Sequence, residues 1–244
     1  MGEQRPAPAS PVHPPADDTA ALQRLLAWLS PSFPVGAYSY SHGLEWAIED
    51  GTVDSAATLE VWLTDILRHG GGCSDGIFLV HAWRAAASGD VAALDEVAEL
   101  SVAFQPSRER HLETTAQGRA FLSVVAAAWP APHLSRLIAA LGAEASIAYP
   151  VAIAIAAAAH EVPLAETLTG YLSAFAANLV SAGVRAVPVG HTDGQRVIAA
   201  LVPVVAEMAR HALAATLDEV SGAAIRADIA SMKHETQYTR LFRS

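Results

Sequence analysis

Ten histidines, one cysteine and 25 acidic residues are the groups in this 244-residue chain that could ligate a metal or move a proton. Their spacing argues against most such uses. Zinc and nickel sites often draw on i, i+3 or i, i+4 histidine pairs or short clusters, and no two histidines here stand that close. His69, His81, His111, His133, His160 and His211 read as helix-surface or helix-end residues. His42 and His191 each fall in an irregular stretch, which makes them the two left to consider as ligands; no metal site is expected. Cys73 follows Gly70-Gly71-Gly72 and has no second cysteine to pair with. Its bland use is as a small packed residue; its chemical use would be as a nucleophile with His69 or His81. Walker-A, GxGxxG, HExxH and GxSxG patterns are all missing. Asp95/Glu96 and Asp218/Glu219 are adjacent rather than facing. Arg108, Glu109, Arg110 and Glu113 are expected to form i, i+4 charge pairs on an exposed helix face, worth about 0.2–0.5 kcal/mol each. No catalytic constellation is visible.

The least ordinary stretch is Pro31–Glu45, with two prolines, two glycines, two tyrosines and a histidine among helical surroundings. Proline fixes φ and removes a donor, and glycine opens backbone space closed to other residues. The stretch is therefore a shaped loop entering a helix. Its polar-aromatic side chains either stitch that loop to a core or meet a partner. Trp28 and Trp46 flank it and are placed to stack its tyrosines.

The elements around the loop follow from caps and breakers. Asp17 or Asp18 opens a helix that Pro31 stops. A short helix from His42 ends at Gly51. The next, opened by Asp54 or Ser55, carries the stripe Leu59, Trp62, Leu63, Ile66 and Leu67. Ser74 or Asp75 starts another, up to Gly89. Asp90 opens a helix to about Phe104, and Ser107 a long one to about Trp129. Leu134–Leu141 is short, Pro150 begins an apolar helix to about Glu161, and Leu164–Val187 is long. Thr192 or Asp193 caps the last long helix, Gln195 to about Val220, which Pro203 should kink. From Gly222 apolar periodicity fades. No stretch alternates with period two. The expected fold is all-α, a single-domain bundle of about nine or ten helices, with a disordered proline-rich lead-in over 1–16, the folded domain over 17–221 and a tail over 222–244.

Composition bounds the partners. The chain is 52% hydrophobic, with formal net charge −10. An acidic chain without a basic stripe argues against nucleic acid and anionic membrane surfaces. The longest uncharged stretches, Ala145–His160 and Thr167–Val184, fall short of or barely reach the roughly 20 residues of a membrane span and read as core helices. A lone cysteine fits a reducing cytosol.

Four blocks then resemble the urease accessory protein UreF family. Leu25-Leu26-Ala27-Trp28-Leu29-Ser30-Pro31-Ser32-Phe33-Pro34-Val35-Gly36-Ala37-Tyr38-Ser39-Tyr40-Ser41-His42-Gly43-Leu44-Glu45 resembles its N-terminal signature. Glu113-Thr114-Thr115-Ala116-Gln117-Gly118-Arg119-Ala120-Phe121-Leu122 is similar to its central helix. Asn178–Gln195, with Arg185-Ala186-Val187-Pro188-Val189-Gly190-His191-Thr192-Asp193-Gly194-Gln195, is similar to its asparagine-to-GQ block. His234-Glu235-Thr236-Gln237-Tyr238-Thr239-Arg240-Leu241-Phe242-Arg243-Ser244 resembles its tail. The resemblance covers about residues 20–244. His191 departs from the glutamine expected there.

That resemblance implies a non-catalytic, cytoplasmic, dimer-forming scaffold. It would bridge UreD (also called UreH) and the GTPase UreG for nickel insertion into urease apoprotein and would modulate GTP hydrolysis. Nickel and GTP would belong to the partner complex, with no cofactor in this chain. Tyr38, Ser39, Tyr40, His42 and Glu45, then Arg185, Asp193 and Gln195, then His234, Tyr238, Arg240, Leu241, Phe242 and Arg243 are the partner-binding residues it implies. The alternative use of Arg185, Asp193 and Gln195 is a loop cap with a buried ion pair, and that of the tail is a frayed terminus. The functional runner-up is a nickel-binding metallochaperone using His42, His191 and His234.

Overall fold

The structure, a computed structural model, describes residues 16–142 and 145–244; the expected lead-in lies outside them except for its last residue. The described residues form eleven α-helices and no strand: α1 (Ala16–Trp28), α2 (Leu44–Glu49), α3 (Ala56–His69), α4 (Gly71–Ser88), α5 (Val91–Ala103), α6 (Arg108–Ala128), α7 (Pro132–Leu141), α8 (Tyr149–Ala159), α9 (Leu164–Ala186), α10 (His191–Ala214) and α11 (Ile225–His234). The all-α bundle read from the sequence is the observed fold.

Helix α8 explains the arrangement. Its run from Pro150 to Ala158 is buried throughout, as a helix that is apolar on every side must be. It packs against α4, α6 and α9, with α5 and α7 at its flanks. Small alanines let these neighbours approach closely. Gly118 of α6 carries this furthest: a Cβ there would stand 2.1 Å from the Ile147 carbonyl oxygen. The chain entering α8 therefore crosses α6 in contact, and Thr114 Oγ1 accepts from the Tyr149 N–H at 3.0 Å.

Caps placed most boundaries correctly. The side chains of Ser55, Asp90 and Ser107 accept from Thr58, Ala93 and Arg110 N–H groups at the starts of α3, α5 and α6, satisfying donors that helix N-termini leave open. Several expectations need correction. Helix α4 begins at Gly71, so Ser74 and Asp75 lie buried inside it. The tight α3–α4 corner requires this: a Cβ on Gly72 would meet the Leu67 Cα at 2.6 Å. Helix α10 begins at His191, with Gly190 as its N-cap, and ends at Ala214. Helix α11 was hidden because Ile225, Ile229 and Met232 point outward, while small Ala227 and Ala230 face the core. The tryptophans do not stack the loop tyrosines. Trp28 meets Phe121, Trp129 and His160 edge-on, and Trp46 receives Lys233 over its ring.

Helix α10, rather than the two stretches singled out above, has the length and hydropathy of a membrane span. It packs along α9, α3 and α4 and buries Val197, Leu201, Val204, Val205 and Met208 on one face, as an amphipathic bundle helix does.

Candidate functional site

The largest departure from expectation lies on α6. Arg110 and Glu113 are 7% and 2% exposed, and Glu109, Thr114 and Gln117 are buried with them. The inward face of α6 begins polar, with Arg110, Glu113, Thr114 and Gln117, and turns apolar at Phe121, Leu122 and Val125. The charges expected on a solvated face are instead the hub that gathers the opening loop and the tail.

Glu113 is the first centre. Arg110 Nη1 donates to its Oε2 at 2.6 Å, Ser244 Oγ to the same oxygen at 2.8 Å, and Gln117 Nε2 to Oε1 at 3.1 Å. His42 Nε2 lies between Glu113 and Arg110, 2.7 Å from Glu113 Oε1 and 2.5 Å from Arg110 Nη1, and its role toward each depends on the tautomer. Burial alone would raise the Glu113 carboxyl, but Arg110, His42 and the hydrogen bonds outweigh it and hold it at about 2. Burial, with Arg110 beside it, pushes the His42 imidazole down. His42 sits at φ 56°, which turns the loop back toward α6. The following Gly43, at φ 75°, lies where a Cβ would meet the Ser231 amide nitrogen of α11 at 2.5 Å.

Glu45 and Glu109 form the second centre. Leu241 N–H donates to Glu45 Oε1 at 2.6 Å and Phe242 N–H to Oε2 at 2.9 Å. His234 lies between the carboxylates, with Nε2 3.1 Å from Glu45 and Nδ1 2.6 Å from Glu109. Arg240 Nη1 donates to Glu109 Oε1 at 2.7 Å. Backbone bonds close the seam: Arg243 N–H donates to Ser39 O and Ser41 N–H to Ser244 O, each at 2.7 Å, and the Ser41 hydroxyl donates to Ser244 O as well. The tail is thus docked, not frayed.

Of the residues singled out in the sequence, the structure gathers Ser39, Tyr40, His42, Glu45, His234, Arg240, Leu241, Phe242 and Arg243 around α6. Arg185 joins them through its guanidinium, 4.7 Å above the Phe242 ring. Tyr38 is 68% exposed, and Tyr238 and Leu241 are also exposed. Asp193 and Gln195 are not gathered. Asp193 pairs with Arg196 at 2.5 Å on an exposed surface of α10, which replaces the buried ion pair entertained for that loop, and Gln195 is exposed. His191 is exposed at the first turn of α10. Among the described residues no three His, Cys, Asp or Glu side chains converge as a metal set, so His42, His191 and His234 do not assemble one. Cys73 is buried, and burial raises its thiol, the opposite of an activated nucleophile.

A cavity of about 200 Å³ opens beside this hub. Phe33, Val35, Tyr149 and Phe175 contribute to its walls, and Asp75, Arg110, Glu113 and Tyr171 to its polar side. Tyr171 donates to Asp75 Oδ2 at 2.8 Å. Burial raises the Asp75 carboxyl to about 6 despite Arg110 and Tyr171. A folded-state value above the unfolded one makes the ionised group a burden on stability. That burden is absent below about pH 4 and complete above about pH 6, and two units correspond to about 3 kcal/mol. Asp75→Asn should therefore be more stable than the parent by about 1–3 kcal/mol at pH 7.5, with the gain vanishing by pH 4. Urea unfolding at both pH values measures it; a variant that is less stable at pH 7.5 contradicts this role.

Comparison with known proteins is consistent with these blocks. The family model described as UreF matches residues 53–202. The urease accessory protein UreF of Rhodopseudomonas palustris strain HaA2 is 55% identical over 229 residues, 94% of this chain and 96% of that protein. Its counterpart in strain TIE-1 is 52% identical over the whole of both chains. That of Bradyrhizobium sp. strain BTAi1 is 53% identical over 227 residues, 93% of each.

Proposed function

This chain belongs to the UreF family of urease accessory proteins, and on that premise we propose that it is a non-catalytic scaffold in urease maturation. In this role it bridges a UreD/UreH-type protein and the GTPase UreG during nickel insertion into urease apoprotein, and it modulates GTP hydrolysis by UreG. It works in the cytoplasm as a homodimer. Nickel and GTP are held by the partners.

The observation that carries this proposal is the joining of loop and tail. Segments about two hundred residues apart in sequence are bound edge to edge by Ser39–Arg243 and Ser41–Ser244 backbone bonds. Buried carboxylates hold their inner sides, while Tyr38, Tyr238, Arg240, Leu241 and Arg243 stay exposed. Aromatic and arginine side chains presented on a fixed backbone are the residue types that dominate interface energies, and little ordering entropy is lost when they bind. Deleting Arg240–Ser244 is not a clean test of partner capture. It would strip donors from buried Glu45 and Glu113.

A metallochaperone acting alone is less well supported, because the polar atoms of His234 and the Nε2 of His42 are already engaged by carboxylates. Co-expression of the tagged full chain with UreD- and UreG-type proteins tests the proposal. Recovery of all three in one complex, with a GTP turnover that changes when this chain is withheld, is expected. Recovery of the chain alone, with tight stoichiometric nickel bound to it, would overturn it.

A further inference from the structure

The charges around the cavity do not balance. Arg110, Glu113 and Asp75 line it and all three are buried. His42, also on the wall, has its imidazole driven down by burial. With both carboxylates ionised, one cation faces two anions. Glu113 takes up Arg110 directly at 2.6 Å; among the described residues Asp75 receives one side-chain hydrogen bond, from the neutral Tyr171 hydroxyl, and feels Arg110 without a direct contact. Buried charges are ordinarily paired. Here the odd carboxylate faces an opening whose other walls include Phe33, Tyr149 and Phe175.

We propose that this cavity is a subsite for an organic cation, a guanidinium or primary ammonium group on a short apolar stem, whose charged head pairs with Asp75. The aromatic walls suit the stem, and ring faces attract such cations by about 0.5–2 kcal/mol. A bare divalent metal fits poorly, since no three ligating side chains converge among the described residues. The elevated Asp75 carboxyl supports the same view: a group that costs stability in the empty chain loses that cost when a cation enters. The cation has two possible sources, a free amine or an arginine or lysine side chain of a protein partner. At the mouth stand exposed Tyr38 and Pro31, with Asn178 beside them. Asn178 Nδ2 donates to Ala37 O at 3.0 Å and fixes the turn that carries Tyr38.

Titration of the full chain with n-butylguanidinium and with its neutral isostere n-butylurea, followed by calorimetry and thermal shift, tests the proposal. Saturable binding of the cation at one site per chain is expected, at least tenfold tighter than the urea. Asp75→Asn should weaken it at least tenfold. Equal binding of the two probes, binding unchanged in Asp75→Asn, or no saturation by the cation would overturn the proposal. The comparison of probes on the unmodified chain does not depend on the variant folding. Repeating the titration in the complex with UreD- and UreG-type proteins separates the sources: lost binding assigns the cation to a partner side chain, and retained binding assigns it to a free amine. Neither result depends on whether the chain regulates GTP hydrolysis.

Discussion

Glu113→Ala should lower stability by about 3–5 kcal/mol, the usual cost of breaking a buried ion pair from one side. The charge of Arg110 would be left without its carboxylate, and His42, Gln117 and Ser244 would lose a hydrogen-bond partner. For a chain of this length that is a fall of roughly 10 °C in Tm. The network has an acid signature too. Glu113 lies at about 2 in the folded chain, against an ordinary value of 4.5. A depressed carboxylate contributes stability that is present above the unfolded value and lost as pH falls through the folded one. The window is therefore about pH 4.5 to 2, and the amplitude about 3 kcal/mol. Glu113→Gln should lose this slope. Because the alanine variant could fail to fold, a double-mutant cycle with Arg110→Met and Glu113→Gln gives a second measure. The double variant should lose about 2 kcal/mol less than the sum of the singles. Additive losses would mean that Glu113 is not the hub.

Glu45→Gln should release the tail while leaving the bundle folded. Each Glu45 oxygen accepts a separate backbone N–H, from Leu241 and from Phe242, and His234 approaches one of them. A glutamine has one acceptor oxygen, and its NH2 would face a donor. Hydrogen bonds to a charged group are worth about 1.5–3 kcal/mol, so about 3 kcal/mol of local stability should go. Amide exchange at Leu241 and Phe242 should quicken about a hundredfold, while protection in α8 stays as it was. Unchanged exchange at both amides would mean that Arg185 on Phe242 and the Ser41–Ser244 contacts hold the tail without Glu45.

Most of the fold was legible because the chain is punctuated. Ser55, Asp90 and Ser107 cap, Pro163 breaks, and apolar runs between them have helical length. Helix α11 was not legible, since alanines face the core and large residues face out, the reverse of the usual stripe. The loop and tail drew attention by composition. Their meeting place did not, because Arg108-Glu109-Arg110 and Glu113 have the spacing of an ordinary solvated face. The available signal lay further along α6, where Phe121, Leu122 and Val125 continue the helical face of Arg110, Glu113 and Gln117 inward. Asp75 was read as a helix start because the glycines before it look like a terminus, whereas Gly72 is there for the close approach of α4 to Leu67.

The scaffold account centres on the joined loop and tail as a partner surface. Its most direct test is the affinity of the full chain for UreD- and UreG-type proteins when exposed residues of that surface change. Tyr38→Ala and Leu241→Asp remove side chains that are exposed and carry no hydrogen bond into the hub. Each should leave Tm and helicity unchanged and weaken at least one partner tenfold or more, about 1.4 kcal/mol. Parental affinity for both partners in both variants would contradict the account.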